Sequence, residues 1–203
     1  EKTRGGYIVT PGNQVYKCDY PFTNPIKFRY ITTVSEYSTQ MYTYCAAYKD
    51  KVFIAPDYAE KIKVYNSDGK LSEIKLKHCT NQAYKFFSAH VYKEHLFLIP
   101  DEYSYIVRLD MDTQKVTYTE DLRDIFITED QNYDRYCGGV AFFGNELLIG
   151  SQANNKLLAI DIDTLGHRII KVGKDADAGC YKIISDVNNN DADSVFILPY
   201  KGN

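Results

Sequence analysis

Short apolar runs, broken by Asp, Asn, Gly and Pro, recur along the whole chain. One copy begins with Cys45–Tyr48, continues through Val52–Ala55 to Pro56, and then alternates apolar and polar residues over Lys61–Asn66. Runs of about four to six residues with this punctuation are typical of strands, because helices would show apolar residues at a period near 3.6. The pattern therefore predicts consecutive antiparallel strands joined by short turns.

The same unit returns along the chain, and its second strand ends each time at a proline or a glycine. The anchors are Pro11, Pro56, Pro100, Gly150 and Pro199. They are about 44 to 50 residues apart, close to the repeat of a four-stranded propeller blade. We assign repeats near residues 1–40, 41–84, 85–134, 135–178 and 179–203 of a single domain. We predict an all-β chain with about four β-propeller blades' worth of sequence.

Within one copy the pattern predicts four strands, a to d, over residues 44–48, 51–55, 61–66 and 71–76. Two-residue turns join a to b, and Ser67–Lys70, which contains Asp-Gly, is a strong hairpin signal between c and d. At most one helical turn is expected, inside residues 119–136.

The two end copies are incomplete in this pattern. The first lacks strand a and the last stops after strand b. We therefore expect the ring to be completed by further sequence or by a second chain, because an exposed blade edge invites strand pairing.

The apolar strand ending in Pro or Gly, the polar loop and the strand closing on Asp resemble bacterial β-propeller repeats of the Kelch and NHL type. The resemblance covers nearly the whole chain. It departs from Kelch repeats at Ala55-Pro56 and Ile99-Pro100, where a double glycine is expected, and no Trp is present. It implies the fold and leaves the function open, since propellers include lectins, scaffolds, lactonases and lyases.

In the resembling propellers, ligands bind at the mouth of the ring, where the b–c loops and the d–a linkers gather. Here those segments are 12–14, 57–60, 101–104 and 151–154, with linkers 36–44, 78–84 and 119–136. Tyrosines beside carboxylates and amides are typical of sugar or peptide recognition. The candidate binding residues are Asp57, Tyr58, Asp101, Tyr103, Arg135, Tyr136, Gln152, Asn154 and, on an inner strand, His90. The alternative is that these loops are simply polar and that their tyrosines pack between blades.

The leading hypothesis is a binding module that recognises a glycan, a peptide or a protein partner through tyrosine-rich mouth loops. An enzyme of the metal-assisted lactonase or lyase type is the first alternative, with His90, Asp57 and Asp101 at an axial site. A structural spacer is the second. No catalytic residue, metal or cofactor is assigned, because the four histidines show no metal-binding spacing.

Two other groups of polar or reactive residues are expected to be structural. Asp186–Asp193 lacks the glycine and the final glutamate of a calcium loop, and a polar hairpin explains it better. The aspartate pairs Asp110/Asp112 and Asp161/Asp163 recur at the c–d turn and are expected to form turns. Cysteines near the start of the inner strands are expected to pack as small hydrophobic residues; these are Cys45, Cys137 and Cys180.

Composition narrows the remaining possibilities. Nineteen Tyr and ten Phe without Trp favour strands. A net charge of −3 gives no overall basic field, which argues against nucleic acid as a partner. No apolar run approaches the length of a membrane span. Five cysteines without a CxxC pair favour reduced thiols and slightly favour the cytoplasm, although the localisation stays open.

Overall fold

The computed structural model describes residues 5–19, 25–37, 40–79, 84–126, 139–151, 155–173, 180–185 and 195–199. Apart from one four-residue helix, its regular elements are antiparallel strands. The chain forms two compact units, residues 1–117 and 118–203, with the boundary inside a strand. The expected all-β architecture of propeller blades is confirmed.

The first unit contains three sheets, each formed by consecutive strands. The first sheet is β1 (Gly5–Val9), β2 (Gln14–Asp19) and β3 (Phe28–Thr33). The second is β4 (Tyr42–Tyr48), β5 (Lys51–Pro56), β6 (Lys61–Asn66) and β7 (Leu71–Lys75). The third is β8 (Phe86–Tyr92), β9 (His95–Pro100), β10 (Val107–Asp110) and β11 (Val116–Tyr118), which crosses the unit boundary.

The second unit begins with the short helix α1 (Arg123–Phe126), the single helical turn expected in this insertion. A four-stranded sheet follows, formed by β12 (Gly139–Phe143), β13 (Glu146–Gly150), β14 (Lys156–Asp161) and β15 (His167–Lys171). The last sheet pairs β16 (Cys180–Ser185) with β17 (Val195–Pro199). Within the described residues, the first sheet contains strands b, c and d and the last contains strands a and b, as the sequence pattern predicts.

The turns between strands a and b share one backbone geometry. Their first residue has a positive φ in each complete repeat, at Lys49 (53°), Lys93 (52°) and Gly144 (55°). The carbonyl of the next residue accepts a hydrogen bond from the c–d turn of the same blade, as from Ser67 N to Asp50 O at 2.9 Å. This repeated bond ties the two turns at one end of each sheet.

The c–d turns confirm the structural role expected for the aspartates. The Asp110 carboxylate accepts hydrogen bonds from the backbone N–H groups of Asp112 (3.0 Å) and Thr113 (2.7 Å). Asp161 makes the equivalent bonds to Asp163 (3.1 Å) and Thr164 (2.7 Å). These carboxylates replace backbone partners that a tight turn leaves unpaired.

The second strand of each complete blade forms the centre of the core. Strands β5 and β9 have the same burial pattern, with five consecutive buried residues that end at Pro56 and Pro100. Phe53 and Phe97 are fully buried. Burying a side chain of this size contributes about 1.5–3 kcal/mol. In the first unit, Val15 of the first sheet packs in one cluster with residues of the second, which joins the two blades.

Candidate functional site

In the second and third blades, the described residues of the loops between strands b and c and of the linkers that precede strand a lie at one end of the sheet, and we call them the mouth loops. In the first unit they are hydrogen-bonded to one another. Asp57 N donates to Met41 O at 2.8 Å, and Asp101 N donates to Lys85 O at 2.9 Å. Lys85 N in turn donates to Asp57 O at 3.3 Å. These bonds link the mouth loops of the second and third blades.

Asp57 and Asp101, two of the candidate residues, occupy the same place in successive repeats, one residue after the proline. Asp57 is buried, and burial raises the pKa of its carboxyl group, with the charge of Asp101 adding to the effect. A hydrogen bond from the Thr43 hydroxyl and the charge of Lys85 oppose this rise. The Asp57 carboxyl group therefore lies within range of the charge of Asp101.

Lys85 is fully buried beneath these loops. Its Nζ donates hydrogen bonds to Tyr58 O at 3.1 Å and Asp57 O at 3.4 Å. Burial lowers the pKa of its ammonium group, while neighbouring acidic groups act in the opposite direction. Sequence reasoning did not identify Lys85. The available signal was that a lysine stands where the preceding repeat has Met41.

Tyr58, another candidate, is paired with Tyr84 on the linker of the next blade. The ring centroids are 5.3 Å apart at an angle of 61°. Both rings are accessible, Tyr58 being 37% and Tyr84 53% exposed. The hydrogen bond between their hydroxyl groups, with burial and the charges of Asp57 and Glu102, raises the pKa of Tyr58 to about 12.

Tyr58 also lines an open cleft of about 860 Å³ in the first unit, which we call the mouth cleft. The linker between the first and second blades forms one part of the wall, with Glu36 and Tyr37. The loop Tyr58–Glu60, the first half of β6 and Glu73 in the middle of β7 form most of the rest. Tyr37 is 72% exposed, so this cleft presents a second accessible tyrosine.

The lysines in this wall are held by one carboxylate. Lys61 and Lys63 both form ion pairs with Glu73 on the neighbouring strand. The hydrogen bonds from Lys61 and then Lys63 lower the pKa of Glu73 to about 2. The Glu73 carboxylate is therefore ionised at neutral pH and pairs with both ammonium groups.

Tyr103 was expected to be an accessible residue of a mouth loop, but its side chain is buried. Its side chain is 1% exposed, packs 5.2 Å from the Phe86 ring, and donates a hydrogen bond to Lys77 O. Tyr103 N bonds Lys85 O as Ala59 N bonds Met41 O, so Tyr103 replaces the buried Ala59 of the preceding repeat. We therefore leave Tyr103 out of the proposed site.

His90 lies on the inner strand β8, partly buried. Burial lowers the pKa of its imidazole, and Nε2 lies 3.0 Å from the Ser88 hydroxyl. Within the described residues, no three His, Cys, Asp or Glu side chains are grouped as metal ligands would be.

Other sequence expectations fall in different places. Cys45 is partly buried, and burial raises the pKa of its thiol to about 11. Four candidate residues lie outside the described part of the chain: Arg135, Tyr136, Gln152 and Asn154. Cys137 and the segment 186–193 also lie outside it. No helix in the described part of the chain is long and apolar enough to cross a bilayer.

No protein family model matches the chain, and no curated protein matches it either. Several solved structures have similar folds. Virginiamycin B lyase from Staphylococcus aureus has a TM-score of 0.56 and 14% identity, over 85% of this chain and 53% of the lyase. The β-propeller domain of Myceliophteria thermophila Cps50 (Swd1) has a TM-score of 0.60 and 10% identity, over 89% of this chain and 58% of that domain.

A third similar structure is the extracellular domain of a putative hybrid two component system from B. thetaiotaomicron. The TM-score is 0.66 at 10% identity, over 97% of this chain and 25% of that protein. The chain spans about half the length of the lyase. These likenesses show the β-propeller fold alone, and the finer assignment to Kelch or NHL repeats stays a prediction.

Proposed function

We propose that this chain is a binding module of a β-propeller protein, and that it recognises a peptide, a glycan or a protein partner through the mouth cleft. The observation that carries the proposal is the set of accessible tyrosines at one end of the first unit. Tyr37 and Tyr58 line the mouth cleft, and Tyr84 packs against Tyr58. Exposed aromatic rings with a polar tip are typical of surfaces that bind polar ligands.

The arrangement of the loops supports this proposal. The tyrosine pair is held in place, because the carbonyl of Tyr58 accepts a hydrogen bond from the buried Lys85 ammonium group and the carbonyl of Tyr84 accepts one from Glu102 N at 3.1 Å. A ligand therefore meets rings that are already positioned, which reduces the entropy lost on binding.

The volume also suits a ligand of limited size. A cleft of about 860 Å³ falls within the range of sites that accept small molecules or a few residues of a longer chain. The cleft is open to solvent, so part of a longer glycan or peptide would extend beyond it.

The test is a screen of the purified chain against a glycan array and a peptide array, followed by titration calorimetry with the hits. We expect Tyr58→Ala and Tyr37→Ala to weaken binding about 5- to 100-fold, as for other aromatic anchors. Tyr30→Ala is the matched control, because the exposure of Tyr30 lies between those of Tyr58 and Tyr37 and it lies on β3 outside the cleft wall. Equal affinity of all three variants, or no hit on either array, would refute the proposal.

A further inference from the structure

The acidic and basic groups around the mouth cleft differ in their availability. Glu36 and Glu60 line the cleft, and Glu102 follows Asp101 beside the tyrosine pair. In the described part of the chain, these three glutamate side chains make no ion pair or hydrogen bond. Their carboxylates are exposed, and Glu60 and Glu102 are also within electrostatic range of the Lys85 ammonium group.

The neighbouring lysines already have partners within the protein. Lys61 and Lys63 share Glu73, and Lys85 is fully buried with its ammonium group bonded to two carbonyls. A buried ammonium group cannot contact a ligand in the cleft, and a paired one is partly neutralised. The accessible charge at the mouth of the first unit is therefore negative.

The tyrosines reinforce the same preference. The face of a tyrosine ring attracts an ammonium or guanidinium group within about 6 Å. Tyr58 and Tyr84 meet edge to face, which leaves ring surface accessible beside Glu60 and Glu102. Aromatic faces beside carboxylates are complementary to a cation with an apolar stem, as in lysine and arginine side chains.

Resting on the proposed function, we infer that the mouth cleft binds a peptide segment of a partner protein that carries lysine or arginine side chains. Such a side chain places its alkyl stem against Tyr58 and its charge beside Glu60 or Glu102. A neutral glycan would use the tyrosines but would leave these carboxylates unpaired. An anionic ligand would be repelled by them.

The probes are a fluorescein-labelled seven-residue peptide with two lysines and one arginine, the same peptide with those residues replaced by glutamine, and a neutral chitin oligosaccharide. Anisotropy titrations with the full chain at low and high salt give the affinities. We expect the basic peptide to bind at least about fivefold more tightly than the glutamine peptide. Its affinity should fall as salt rises, because the contacts are between exposed charges.

The variants are Glu60→Gln and Glu102→Gln, with Glu94→Gln as the control. Glu94 is also an exposed glutamate but lies in the a–b turn, at the opposite end of the third sheet from the mouth loops. We expect each mouth variant to lower the affinity for the basic peptide about three- to fivefold. The control variant should leave that affinity unchanged. Circular dichroism and thermal melting verify that the variants are folded.

The outcomes separate this inference from the proposed function. Equal binding of the basic and glutamine peptides, or loss of affinity in Glu94→Gln as large as in Glu60→Gln, would overturn the basic-peptide inference. Binding of the oligosaccharide alone, weakened by Tyr58→Ala, would also overturn it but leave the binding function intact. No binding of any probe would count against both.

Discussion

At the residue scale, Tyr58 and Tyr103 are tyrosines of successive mouth loops with opposite environments. Tyr58 follows Asp57 directly, whereas Tyr103 comes two residues after Asp101 and takes the place of the buried Ala59. The side chain at that position is buried, so the larger ring of Tyr103 becomes part of the core. Counting residues from the proline separates the two environments.

Tyr103 should therefore be a stability residue. We expect Tyr103→Ala to reduce the free energy of unfolding by about 3–5 kcal/mol, as for other large buried aromatic residues. Tyr103→Phe should cost only about 1 kcal/mol, because it removes the hydrogen bond to Lys77 O and keeps the ring. Urea unfolding measures both, with Tyr58→Ala as the exposed control. A Tyr103→Ala variant as stable as Tyr58→Ala would contradict the placement.

Lys85 predicts a dependence on pH. Its pKa in the folded chain is lowered from 10.5, so the folded state releases the proton before the unfolded state does. The contribution of Lys85 to stability therefore increases as pH rises from the lowered pKa to 10.5 and is least favourable below that window. We expect the unfolding free energy of the wild type, relative to Lys85→Met, to rise as the pH increases towards 10.5.

The difference between the two proteins is the relevant quantity, because Tyr42 and Cys45 have raised pKa values and make both proteins less stable at high pH. Urea titrations at several pH values measure it. Lys93→Met is the control, since Lys93 is exposed in the a–b turn of the same blade. For Lys93→Met we expect the difference in unfolding free energy from the wild type to stay constant with pH. The same constancy for Lys85→Met would contradict the prediction.

At the element scale, the strands of the complete blades could be predicted because their signals are local. The b strands end at Pro56, Pro100 and Gly150, as the anchors indicate. The first strand of the second blade begins earlier than expected, at Tyr42, and contains an irregularity between Tyr42 and Tyr44. Such a bulge depends on pairing with β5, which apolar alternation does not encode.

The c–d turn offers a prediction at this scale. The N–H groups of Thr113 and Asp112 lower the pKa of the Asp110 carboxyl, with Thr113 contributing most. We expect Asp110→Ala to lower the unfolding midpoint by no more than about 2–4 °C near pH 7. A carboxylate whose pKa is lowered by folding stabilises the folded chain at pH values above its pKa in the unfolded chain, which is 3.8 for Asp110. This stabilisation is lost as the pH falls below 3.8.

Calorimetry of the wild type and Asp110→Ala from pH 7 downward measures this shift. Glu94→Ala serves as control, because Glu94 lies in the other turn at the same end of the blade and its carbonyl, which the variant keeps, accepts the hydrogen bond that ties the two turns. A midpoint difference that persists unchanged at pH 2.5 would show that the turn does not depend on the charged form of Asp110.

At the scale of the whole molecule, the propeller architecture could be predicted because a repeat multiplies weak local signals. The candidate site could be predicted only in part. The position of Asp57, Tyr58 and Asp101 in mouth loops follows from their place after the anchor, and the linkers containing Tyr37 and Tyr84 were expected at the same mouth. The roles of Lys85 and Glu73 arise from contacts between segments far apart in sequence, which no local pattern shows.

The last sheet differs from the complete blades in one measurable way. Phe196 precedes its anchor by the same spacing as Phe53 and Phe97, yet it is 68% exposed where they are fully buried. Leu198, next to the anchor, is 44% exposed. The positions that are buried on the b strands of the second and third blades are thus open on β17, and an apolar face of this kind favours association.

We therefore predict that the 203-residue chain associates with further copies as its concentration rises, through the face of β17 that carries Phe196 and Leu198. The double variant Phe196→Ser with Leu198→Ser should shift sedimentation velocity profiles towards the monomer, because it removes apolar area that association would bury. Leu71→Ser is the matched control, since Leu71 is a comparably exposed residue on the outer strand β7. A wild type that stays monomeric up to about 100 µM, well above the dissociation constants of specific protein associations, would refute the prediction. So would an equal shift in the Leu71→Ser variant.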